Sequence, residues 1–124
     1  MVLFDRIPKV ALIPALAVLI FIVDIPWLYS VSGWSGEMIR DIQGSSLEMK
    51  LLPAAIVYLA LGYLATLPKS LLEAFGIGAA TYAVYDFTNL ATLKSYDPKF
   101  AVADSLWGGI LFYIAHTAIE KLGI

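Results

Sequence analysis

Four runs of apolar residues are separated in this chain by short stretches rich in glycine, proline, serine and charge. Each run is near the ~20 residues that a helix needs to cross the hydrocarbon of a bilayer. The first extends from about Val10 to Tyr29 and predicts a helix over about 6–29. Pro26 lies inside it, removing a backbone donor and freeing the carbonyl of Ile22, so a kink is expected near Asp24. Two prolines, an aspartate and the lack of a small-x-small cleavage site set this run apart from a signal peptide, and it reads as a retained helix. No lipidation, prenylation or retrieval motif is read in Lys121, Leu122, Gly123 and Ile124.

The breaks carry their own signals. Gly33 and Gly36 bracket Trp34 and open a stretch in which Trp34, Met38, Ile39 and Ile42 share one helical face, opposite Glu37, Arg40 and Asp41. That split predicts a short helix over about 36–43 lying in the membrane interface, anchored by tryptophan. Gly44 stops it. Ser45 with Glu48 is spaced as a capping box and predicts a second spanning helix over about 46–67, ended by Pro68. Ser70 with Glu73 repeats the spacing and predicts a third over about 71–93. Asp97 followed by Pro98 is an N-cap before a proline at the first helical position, and opens a fourth over about 98–120. Short connections make sequential helices antiparallel neighbours. Small residues at four-residue spacing, Gly76 with Ala80 and Ala79 with Ala83, together with Gly108 and Gly109, mark the expected places of close backbone approach. The fold class is therefore an all-α integral membrane protein, a four-helix bundle in a single domain over 1–124.

Three polar positions interrupt the apolar runs. Asp24, Asp86 and Asp104 lie within expected spans, where an ionised carboxylate at the helix centre costs about 2.5–3.5 kcal/mol even on an insertion scale. At about 1.5 Å per residue, all three lie roughly 8–12 Å from helix ends on the same side of the membrane. Around them stand residues of matching type. Tyr82, Asp86 and Asn89 fall at i, i+4 and i+7, with Tyr85 and Thr92 on the adjoining stripe. Trp27 and Trp107 lie about one turn beyond Asp24 and Asp104, each offering an indole N–H. With no lysine or arginine near them inside the spans, the acids are expected to titrate as one cluster and to share a proton. The functional reading is a polar cavity, open toward the loop side, that takes a proton, a cation or a small polar solute. The alternative is a structural network in which Thr88, Asn89, Trp27 and Trp107 satisfy aspartates that lock the helices together.

Composition supports the bilayer as solvent. Of 124 residues 60% are hydrophobic and 15% charged, against about 25% charged in soluble domains, and the mean hydropathy is +0.83. Eight basic and ten acidic residues give a net charge of −2 without a basic run, so nucleic acid is not an expected partner. Arg6, Lys9, Lys69 and Lys121 lie on one side of the expected bundle and Arg40, Lys50, Lys94 and Lys99 on the other, a tie that only the pair flanking the first helix tips toward cytoplasmic termini. No cysteine and one histidine, His116, leave no multi-histidine or thiolate metal site within one subunit, and no cofactor is called for. His116 reads as a packed or interfacial residue. Tyr29, Tyr58, Tyr63, Tyr96 and Tyr113 read as an aromatic belt or apolar-face residues. Paired carboxylates without a nucleophile, a metal-binding histidine or a phosphate cradle are a poor signature for catalysis.

Three strings carry a resemblance. Val23-Asp24-Ile25-Pro26-Trp27-Leu28, then Tyr85-Asp86-Phe87-Thr88-Asn89-Leu90-Ala91-Thr92-Leu93, then Asp104-Ser105-Leu106-Trp107-Gly108 resemble the signatures of a family of small predicted membrane proteins, domain of unknown function 2177. The resemblance spans nearly the whole chain, except that the loop between the first two spans is unlike that of its bacterial members. It implies a four-helix membrane domain with signatures at Asp24, Trp27, Tyr85, Asp86, Thr88, Asn89, Asp104, Trp107 and Gly108, and implies no function. The leading expectation is a small transport or permeation protein, acting as a homo-oligomer in the lipid bilayer, with a ligand-binding site at Asp24, Trp27, Tyr82, Tyr85, Asp86, Thr88, Asn89, Asp104 and Trp107. The rivals are a structural membrane subunit of a larger complex or particle, and a receptor or enzyme for a lipid-like molecule.

Overall fold

The computed structural model describes residues 8–122, and among them all regular structure is helical. The order is α1 (Lys9–Ser30), α2 (Ser32–Gln43), α3 (Leu51–Ala65), α4 (Leu71–Thr92) and α5 (Pro98–Leu122). The expected start of the first helix at 6 lies outside the described residues. α1 remains helical through both Pro14 and Pro26.

The cap signals divide sharply. At α4 the box forms: the Glu73 backbone N–H donates to Ser70 Oγ at 3.1 Å, and the Glu73 carboxylate accepts from the backbone N–H of Lys69 at 3.2 Å. At α5 the Asp97 carboxylate accepts from the Lys99 backbone N–H at 2.8 Å, with Pro98 as the first helical residue. The box at Ser45 and Glu48 does not form, and the helix expected from about 46 begins instead at Leu51. Pro53 favours the later start. A helix from 46 would need an N–H at position 53 and would drive the proline ring into the carbonyl of Met49, whereas from Leu51 the proline falls in the first turn, where N–H groups have no helical partner. The preceding segment is held by Gly44, the left-handed C-cap of α2 at φ 77°, and by the Gln43 amide, which donates to the carbonyls of Ser45 and Ser46.

α2 is longer than expected, starting at Ser32, so that Gly33 and Gly36 fall inside it. Its two faces divide as the sequence divides them: Met38 is buried, Ile39 and Ile42 are half-buried, and Glu37, Arg40 and Asp41 are exposed. The apolar face is docked on protein. The Trp34 indole donates to Asp97 Oδ2 at 3.0 Å, its ring meets Phe100 edge-on at 5.2 Å, and Met38 Sδ accepts the Asp97 backbone N–H at 3.4 Å.

α4 packs chiefly on α5 and α1 chiefly on α3, and the two pairs meet along α1 and α5. The main core consists of Leu12, Leu16, Ile20, Leu61, Ala65, Ala74, Leu111, Phe112 and Ala115. A second, smaller core of Val31, Met38, Tyr96, Phe100 and Ala101 lies nearer the loops joining α1 to α3 and α4 to α5. The closest backbone approach corrects the expected one. Gly78 faces Gly108, and a methyl on Gly78 would strike the Gly108 carbonyl and the Phe112 ring, while Gly76 has nothing within 4 Å. The Gly76–Ala80 stripe is thus on the open side of α4, and Gly78 makes the helix contact.

Two helical segments, Val10–Ser30 and Pro98–Leu122, are long and apolar enough to cross a membrane, and Leu51–Ala65 is a shorter apolar helix. α4 has the length but carries Glu73, Asp86 and Asn89 among its 22 residues. The outer surface is apolar: Val10, Leu51, Leu72 and Val84 are each at least 70% exposed, far beyond the scattered apolar residues of a water-facing surface.

The glycine contacts generate a paired test. Gly78→Ala is expected to destabilise the protein by about 1–3 kcal/mol through overpacking, while Gly76→Ala is neutral or stabilising by up to about 1 kcal/mol through helix entropy. Denaturant titrations in detergent micelles check both, and equal effects would contradict the assigned contact.

Candidate carboxylate site

The three aspartates come together, each delivered by a different helix. Asp24 is 4% exposed, Asp86 is fully buried, and Asp104 is half-buried. The tryptophans reach across. Trp27 of α1 donates from Nε1 to Asp104 Oδ1 of α5 at 2.9 Å, and Trp107 of α5 donates from Nε1 to Asp24 Oδ1 of α1 at 2.7 Å. Their indoles stack at 5.4 Å between centroids and 12° between planes. One turn of helix separates each aspartate from its own tryptophan, so the crossed pattern fixes both the rotation and the relative height of α1 and α5.

Two further donors are tyrosines, contrary to the reading of Tyr58 and Tyr96 as belt or apolar-face residues. Tyr58 of α3 donates to Asp24 Oδ2 at 2.6 Å. Tyr96 donates to Asp86 Oδ1 at 2.7 Å. Tyr58 lies seven residues into α3, about 10 Å from its start at ~1.5 Å per residue, the same depth that selects the aspartates. Tyr96 is harder to find, because it depends on a tight reversal in which Ser95 takes the left-handed conformation at φ 69° and turns the following side chain back onto α4. Burial and the adjacent Asp86 carboxylate push the Tyr96 hydroxyl above the usual tyrosine range, keeping it protonated as a donor.

The α4 face is narrower than expected. Tyr82, Asp86 and Asn89 point inward: the Tyr82 ring lies against Gly108, Asp86 is fully buried and Asn89 is half-buried. Tyr85 is 65% exposed, and Thr88 is exposed with its carbonyl taking the Thr92 hydroxyl. Neither supports the acids. On a helix of 3.6 residues per turn they fall off the stripe that Tyr82, Asp86 and Asn89 define.

Two buried side-chain atoms lack a hydrogen-bond partner among the described residues, His116 Nδ1 and Asp86 Oδ2. Asp86 Oδ2 is buried without a hydrogen-bond donor, and the carboxyl group of Asp104 lies within hydrogen-bonding reach of the Asp86 carboxyl. The expected opening toward the loop side is absent at Asp86. Asp86 is fully buried, with Tyr96 of the second core donating to it and Leu90, packed against that core, one turn nearer the loop. His116 is remote, near the far end of α5, where Nε2 meets Glu120 Oε1 at 3.1 Å.

A family model described as a predicted membrane protein, domain of unknown function 2177, matches residues 9–119. The chain belongs to this family. The match takes in all three aspartates, both crossed tryptophans and both donor tyrosines, so the cluster lies wholly within the family domain. No curated protein and no solved structure matches the chain.

The donor assignment is testable at Tyr58. Tyr58→Phe strips Asp24 Oδ2 of its donor and is expected to cost about 1–3 kcal/mol. Much of that loss should vanish in an Asp24→Leu background, giving a coupling of about 0.5–3 kcal/mol in a double-mutant cycle. Additive effects would place Tyr58 outside the network.

Proposed function

We propose that this protein is a multi-pass membrane protein whose helices α1, α3, α4 and α5 cross the bilayer, and that it binds or moves a proton, cation or small polar solute at the three-aspartate cluster. The observation that carries the reading is the buried Asp86 oxygen without a donor, beside a second carboxyl group. A carboxylate kept only as glue would have its acceptors filled, since interhelical hydrogen bonds in membranes average only about 0.6 kcal/mol and an unsatisfied buried acceptor costs more than that. Membrane crossing by α4 is supported by its length and by its packing on α5 with its polar stripe turned inward. Four short helices enclose little volume, which supports action as a homo-oligomer.

A structural membrane subunit is the second reading, favoured by the fact that every donor to an aspartate comes from a different element than its acceptor. Flux separates the two. In proteoliposomes carrying an internal pH dye, an imposed proton or sodium gradient should dissipate faster than in empty vesicles, and Asp86→Asn should return the rate to the empty-vesicle value. No flux above empty vesicles, with the protein folded, removes the transport reading.

Topology has its own check. Cysteines introduced near residues 3, 40, 69, 97 and 122 should label in two groups, with 3, 69 and 122 together. Any other grouping overturns four crossings.

A further inference from the structure

We infer that the occupant of the cluster is a single proton, held as the hydrogen between the carboxyl groups of Asp86 and Asp104. This rests on the reading of the cluster as a ligand site, and narrows the ligand to one class.

The argument is an inventory of oxygens. Both oxygens of Asp24 already accept, from the Trp107 indole and the Tyr58 hydroxyl. Asp104 Oδ1 accepts from the Trp27 indole, and Asp86 Oδ1 from the Tyr96 hydroxyl. What is left without a donor is Asp86 Oδ2 and the second oxygen of Asp104. Two bare acceptors within hydrogen-bonding reach repel unless a hydrogen lies between them, and one proton converts the pair into a carboxyl O–H donating to a carboxylate. A metal ion needs far more. Magnesium and calcium take about six or more oxygen ligands, and among the described residues no group of three acidic, histidine or cysteine side chains is arranged to hold a metal ion.

The groups facing the pair carry no compensating charge, and none of them, the Tyr82 hydroxyl included, donates to its two remaining oxygens. They are Asp24 from α1, Tyr58 from α3, Tyr82 from α4 and Tyr96 from the turn before α5, and the hydroxyls of Tyr58 and Tyr96 are already committed to Asp24 and Asp86. The ion pair found among the described residues joins His116 to Glu120, away from the cluster. With three carboxyl groups and only neutral donors, a proton is the smallest species that relieves both the charge and the missing hydrogen bond. It also needs no cavity, in keeping with the full burial of Asp86.

The test uses the full chain in liposomes at neutral pH, read by infrared difference spectroscopy in water and deuterium oxide. One deuterium-sensitive protonated-carboxyl band is expected. It should disappear in Asp86→Asn and in Asp104→Asn, whose amide N–H replaces the proton and preserves the fold, and persist in Asp24→Asn. Sodium, potassium or magnesium added at constant pH should leave the wild-type band unchanged, a measurement that needs no variant. No band, a band that survives both Asp86→Asn and Asp104→Asn, or a band that any of these ions displaces overturns the inference. Displacement by an ion would leave the broader ligand-site reading intact, whereas a band that meets every expectation in a protein without flux would keep the proton and remove transport.

Discussion

The structure depends on a crossed exchange between α1 and α5, in which each helix carries an aspartate and, one turn away, the indole that satisfies the other helix's aspartate. Stacking of Trp27 on Trp107 makes the exchange rigid, because two flat rings at 12° have little freedom to slide independently. The rest of the polar arrangement is referenced to this pair. Tyr58 brings α3 to Asp24, while Asp86 brings α4 to Asp104. Shift α1 by one turn along α5 and both indole bonds, the stack and the Tyr58 contact are lost together.

The choice of donors follows from the surroundings. A lysine or arginine could neutralise an aspartate, but burying a second charge adds its own desolvation cost, and the gain depends on near-ideal geometry. Indole and phenol groups donate one hydrogen each, carry no charge, and present a large apolar body to their neighbours. Trp27, Trp107, Tyr58 and Tyr96 therefore serve twice, as donors to carboxylates and as packing against the two apolar cores. That double use explains why an aromatic residue near an expected helix end is ambiguous in sequence: the same side chain suits a lipid headgroup boundary or a buried acid.

Much of the fold and part of the site were legible in the sequence because they rest on local rules. Ser70 with Glu73 and Asp97 with Pro98 mark real helix starts, since the residues needed are contiguous and nothing nearby competes. Ser45 with Glu48 did not cap a helix; α3 begins at Leu51, which leaves Pro53 in the first turn where its missing N–H costs nothing. The convergence of the aspartates followed from a fixed rise per residue. What was not legible required knowing which face meets which: Gly78 in place of Gly76, Tyr82 and Asn89 with neither Tyr85 nor Thr88, and Tyr96, which reaches Asp86 only through the reversal at Ser95. Rotation of one helix against another is a tertiary property, and an i, i+4 pattern leaves it open to within a residue.

The two cores set unequal barriers around the cluster. Beneath it, on the side of the α5 C-terminus, the main core runs through Leu111, Phe112 and Ala115, and the next ionisable pair is His116 with Glu120. From Asp104 to His116 is twelve residues, about 18 Å of helix at ~1.5 Å per residue. Above it there is one turn of protein, the second core, and part of that turn belongs to α2, whose polar links to the α5 start pass through one residue, Asp97, by way of the Trp34 indole and the Met38 sulfur. Tyr96 belongs to this small core and also donates to Asp86 Oδ1, so the side chain that packs against Phe100 is the one that holds the fully buried acid.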